Sequence, residues 1–128
     1  KEALMAWETA LRARIKAQIS GVGVYWTERP MRSAYPAVVL QTVNGVREQT
    51  LSGFQSVNQD LVQIDIFGSE RADVVALREQ VIAAIAGPFL QSGVQFQRVM
   101  IQGIRDLGGS TETGFVHRDS LDVLITHN

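Results

Sequence analysis

The chain has 128 residues, the size of one domain able to bury roughly two thirds of the surface its unfolded form exposes. Apolar residues at 45% and charged residues at 20% fit a globular core, and a formal charge of -1 gives no net pull toward duplex DNA or an anionic membrane. The absence of cysteine excludes a disulfide framework and a thiolate metal site.

No apolar run approaches the roughly 18 residues of a membrane span, and the amino end lacks the apolar core of a signal peptide, so a soluble intracellular protein is expected. Ten of the twelve basic residues are arginine. Arginine's planar fork suits interfaces and carboxylates, although arginine-rich codon usage produces the same bias.

From Glu2 to Ile19, the residues Leu4, Trp7, Leu11, Ile15 and Ile19 recur every three or four positions, with Glu8, Arg12 and Lys16 off the stripe. That spacing predicts an amphipathic helix with Trp7 and Trp26 filling core. Gly21 and Gly23 mark its stop, and Val22 to Thr27 reads as a first short strand.

The stretch "RPMRSAYPAVVL", Arg29 to Leu40, sets two prolines and two arginines ahead of an apolar run. Pro36 holds Tyr35 extended and opens a strand from Ala37 to Val43. Asn44-Gly45 reads as a hairpin turn, and the polar segment to Asn58 as a loop or a long hairpin arm. From Asp60 to Phe67, Val62, Ile64 and Ile66 alternate with Gln63 and Asp65, which predicts a strand with one buried face.

Ser69 is the expected N-cap of a second helix, with Glu70 and Asp73 in its first turn. Val74, Leu77, Val81, Ile82 and Ile85 form its stripe, and Gly87-Pro88 ends it. Val94 to Asp106 and Phe115 to Thr126 read as a closing hairpin joined by the polar link 107–114. There Leu121, Val123 and Ile125 point one way, and Asp122 and Thr126 the other. The whole chain, 1–128, is expected to form one α+β domain. Its antiparallel or mixed sheet has four to five strands, with both helices packed on one face.

Chemistry-bearing patterns are sparse. His117 and His127 are the candidate bases, but His127 stands next to the end of the sequence and is expected to fray. The run His117-Arg118-Asp119-Ser120 holds the residue types of a nucleophilic triad, yet alternate strand residues face opposite ways. No His-x-x-x-His, calcium loop or phosphate-binding glycine motif occurs, so no catalytic residue, cofactor or metal is expected. The long polar segments 44–58 and 107–114 and the edges of a small sheet suit contact with other subunits.

Several stretches carry a family resemblance over nearly the whole chain: the opening helix from Ala3 to Leu11, "GVGVY", "RPMRSAYPAVVLQ", "VQIDIFGSERADVVALREQVIAAI", and the closing hairpin with Asp106, Arg118, Asp119 and Asp122. Together they resemble the tail completion proteins of tailed bacteriophages, also called tail terminator or tail-to-head joining proteins and common in prophages.

The resemblance implies a non-enzymatic structural part of the virion tail, assembled in the host cytoplasm. Its partners would be itself, as a ring, usually a hexamer; the tail tube protein; and the head-tail connector protein. Membranes and specific nucleic acid are not expected partners. The alternatives are another phage neck or minor tail component, or a small α+β ligand-binding domain with a concave pocket. In a ring each copy presents two different patches. The residues assign Arg29, Arg32 and Arg47 to one patch and Asp65 and Asp122 to the other.

Overall fold

A computed structural model describes residues 6–19, 21–26, 36–50, 53–111 and 114–128. The first helix, α1 (Ala6–Gln18), buries Trp7, Ala10, Leu11 and Ile15, and Ile19 continues the same stripe. Gly21 takes φ +76, a left-handed turn that a residue with a Cβ adopts only under strain. Strand β1 (Gly23–Trp26) then docks against the helix: Arg12 Nε donates to Val24 O at 2.7 Å, and Trp26 Nε1 donates to Glu8 O at 2.8 Å. Trp7 meets Trp26 edge-on at 5.9 Å, so both indoles serve the core as expected.

Strand β2 (Ala37–Thr50) and strand β3 (Gly53–Gly68) form a long antiparallel hairpin. The expected turn at Asn44-Gly45 does not occur. Asn44 and Gly45 lie inside β2, opposite Leu61 and Asp60, directly after a register shift that skips Val43. The local irregularity that this dipeptide encodes is absorbed by a bulge, and the hairpin runs on as an arm.

Helix α2 (Arg71–Ile85) follows β3. Its N-cap is Glu70, extended at φ -122 and ψ 136 without a side-chain cap, rather than Ser69. The later start places Arg71 at the first helical position, where its side chain reaches the sheet. Strands β4 (Phe89–Gln91), β5 (Val94–Asp106), β6 (Gly109–Thr111) and β7 (Gly114–His127) complete the chain.

Six strands lie side by side in the order β1-β2-β3-β7-β5-β4, and β6 pairs with the start of β7. The expected four to five strands thus become six with a short seventh, because β4 and β6 are three residues long and show no readable alternation. β1 is parallel to β2 and the other pairs are antiparallel, so the sheet is mixed.

Both helices cover one face, as their stripes predict. Val62, Ile64 and Ile66 of β3 and Leu121, Val123 and Ile125 of β7 meet Leu11, Ile15, Val74, Leu77, Val81 and Ile85 in a single core. Arg14 locks the helix layer by donating to Ala84 O at 2.8 Å while its guanidinium lies 4.5 Å from the centroid of Phe89.

Candidate assembly surface

β7 lies between β3 and β5, and its residues from Asp119 onward alternate between the helix face and the open face of the sheet. Asp119, Leu121, Val123, Ile125 and His127 share the helix side, so two polar groups enter the core with the aliphatic ones. Asp119 is fully buried and is held by two cations from α2, Arg71 Nη1 at 2.5 Å and Arg78 Nη1 at 3.0 Å. Asp106, opposite Asp119 on β5, adds a longer contact of 3.9 Å to Arg71. The hydrogen bond that Arg71 donates to Asp119 is the main influence holding its guanidinium pKa above the ordinary value.

At the other end of β7, His127 is not frayed. It is 2% exposed, with Nε2 2.7 Å from Asp60 Oδ2 and Nδ1 2.8 Å from Asn128 O, and its ring stacks on Trp7 at 4.9 Å. Pairing with β3 on one side and β5 on the other, through Asn58 and Phe96, keeps this terminal strand residue inside the sheet.

The open face carries the remaining charges. Asp65 lies there as its alternation predicts, but it is 7% exposed rather than open, because Arg118 Nη2 approaches Oδ2 at 2.9 Å and Gln63 Nε2 donates from 3.2 Å. The Arg118 guanidinium also lies 5.5 Å from the centroid of Phe67, while its Nε is buried without a hydrogen-bond partner. Asp122, paired with Gln63 across the strands, meets Arg105 Nη2 at 3.3 Å with 33% of its side chain exposed.

Of the residues assigned to contact patches, Asp65 and Asp122 therefore share one face, each with an arginine of its own chain. Arg47 lies in β2 opposite Asn58, with its side chain outside the described residues, and Arg29 and Arg32 fall in the undescribed segment 27–35.

Arg118 and Ser120 face one side and Asp119 the other, so His117-Arg118-Asp119-Ser120 does not converge on one centre. Among the described residues no group of three or more His, Asp or Glu is placed to hold a metal ion, and no helix is long and apolar enough to cross a membrane. A shallow depression beside the end of α1, lined by Lys16, Ile19, Gly21, Val22 and Gly23, lacks the convergent polar groups of a small-ligand site.

The sequence reading missed Asp60, Arg71, Arg78, Arg105, Arg118, Asp119 and His127 as structural polar groups. Parity along β7 is the signal for two of them: a residue two, four or six positions from a core aliphatic on one strand shares its face.

The fold is shared with a virion component. A chain in the structure of the virion of native gene transfer agent (GTA) particle superimposes with TM-score 0.69 at 15% identity, covering 95% of this chain and 94% of that one. A second solved chain matches with TM-score 0.54 at 16% identity, over 96% of this chain and 91% of its own. No curated protein sequence matches.

The family is given by the sequence itself: the description of tail completion protein gp17 fits residues 8–123. The chain belongs to that family and is a structural protein of a phage tail.

Proposed function

We propose that the protein terminates the tail: six copies of the chain form a ring that caps the tail tube and offers its other surface to the head-tail connector. The observation that carries this reading is the family match across residues 8–123, which spans both helices and nearly the whole sheet. The shared fold with a chain of the gene transfer agent virion supports it. The protein would act as one domain, assembled in the host cytoplasm, without catalysis.

In this reading Arg29, Arg32 and Arg47 form the cationic contact patch. The receiving carboxylates are Asp65 and Asp122 of the next copy. Asp122 is the more accessible, at 33% side-chain exposure against 10% for Asp65. Its pairing with Arg105 across exposed side chains is weak enough to exchange.

Electron microscopy of the concentrated protein should show rings of tail-tube width, and the protein should restore finished tails to a lysate lacking its terminator. Tails that stay unfinished would point to another neck or minor tail part.

A further inference from the structure

Among the described residues, two long stretches of strand at the edges of the sheet have no neighbour on their outer side. β1 pairs with β2 only from Ala37 to Leu40, so the ten residues from Gln41 to Thr50 have no described strand on the side away from β3. β4 pairs with β5 only from Val94 to Phe96, so the ten residues from Gln97 to Asp106 have no described strand on the side away from β7. Such edges present rows of unpaired N–H and C=O groups that template another strand. Both carry apolar side chains in water: Val43 is 55% exposed on β2, and Ile104 is 47% and Met100 37% exposed on β5.

Strand direction makes these two edges complementary to each other. β2, β3, β7 and β5 are successively antiparallel, so β2 and β5 run in opposite senses at the two sides of the sheet. Rotation about an axis lying along the strands preserves those senses from copy to copy. The β5 edge of one copy then meets the β2 edge of the next as an antiparallel ladder, the more stable arrangement. With the two ten-residue runs fully overlapped, exposed Val43 falls opposite exposed Ile104.

The geometry points to a head-to-tail contact in which Gln97–Asp106 of one copy pairs with Gln41–Thr50 of the next and joins their sheets. This rests on the self-association proposed above and adds a backbone surface to the charged patches, with a test that does not turn on Arg29 or Arg32. A ladder of that length supplies about ten backbone hydrogen bonds, the number found in a standard interface. Because the two edges differ, the contact is heterologous and closes into a ring when the rotation allows.

The absence of cysteine makes the contact testable with introduced thiols. Val43→Cys and Ile104→Cys, alone, mixed and combined in one chain, are concentrated until light scattering reports oligomers and then treated with a short bismaleimide linker. Circular dichroism checks that these exposed sites leave the fold intact.

The edge pairing requires a cross-linked dimer in the mixture, a ladder of multimers in the double variant and at most traces in either single variant. Oligomers without a cross-link in the mixture would overturn the edge pairing and leave self-association standing. A strong dimer in one single variant alone would overturn it in favour of a two-fold contact. A chain that stays monomeric at millimolar concentration would overturn both.

Discussion

Replacing Arg78 with methionine tests whether Asp119 is tolerated in the core only because cations from α2 reach it. Arg78 Nη1 lies 3.0 Å from Asp119 Oδ2, with the arginine side chain 20% exposed and the carboxylate 1%. Methionine keeps most of the aliphatic stem and removes the charged fork. The second bond of Arg78, from Nε to the exposed Glu79, contributes little. Asp119 then loses one charge-assisted bond in a nearly dry site, a loss of about 1.5 to 3 kcal/mol.

Asp119→Leu is expected to be milder. Both guanidiniums it releases reach water, and Arg71 retains Asp106 at 3.9 Å. The combination Arg78→Met/Asp119→Leu should therefore be more stable than Arg78→Met alone, because it removes the stranded charge together with its partner. Urea unfolding followed by fluorescence of Trp7 and Trp26 measures all four proteins, and the Arg78→Met midpoint should fall by about 1 M. A midpoint within about 0.2 M of the parent, or a double variant weaker than the single one, would refute the reasoning.

Gly68→Ala places a methyl 2.8 Å from Val74 Cγ2 where β3 passes into α2, and calorimetry should show a loss of about 1 to 3 kcal/mol, since Val74 is fully buried and has no room to turn. Trp26→Phe removes the donor to Glu8 O at 2.8 Å, a loss of about 0.5 to 1.5 kcal/mol for the hydrogen bond, read from the same urea titration. Trp7→Phe forfeits no such bond, because Trp7 Nε1 is buried without a partner. Arg32→Glu should weaken oligomers in light scattering while leaving the thermal unfolding of the monomer unchanged; an unaltered oligomer would remove Arg32 from the contact.

The buried stripes of β3 and α2 were legible, although the N-cap was not, because both of their periods are local. Val62, Ile64 and Ile66 alternate within one strand, and Val74, Leu77, Val81 and Ile85 repeat within one helix. The polar interior was half legible. Asp119 and His127 share strand parity with Leu121, Val123 and Ile125, a signal for burial that the expectation of a frayed His127 passed over, and no local pattern marked their partners. Arg78 and Arg71 lie 41 and 48 positions from Asp119, and Asp60 lies 67 from His127.

Asp65 shows the same limit from the open face. Parity put it opposite the helices, but its low exposure comes from Gln63 two positions away together with Arg118, 53 positions away, which no local pattern pairs with it. Asn44-Gly45 misled because a turn and a bulge call for similar residues, and the sequence does not say which one the partner strand will accept.

The position of β7 bears on the timing of synthesis. Residues 114–127 are translated after the other strands, yet they occupy the slot between β3 and β5. Until they emerge from the ribosome, the sheet exists as two separate pieces, each with an unfilled side where its centre should be. Pairing strands roughly sixty residues apart is entropically slow, so the core closes late and all at once. A chain that lacks β7 therefore lacks the middle of its sheet and exposes the inner edges of β3 and β5 to chaperones and proteases.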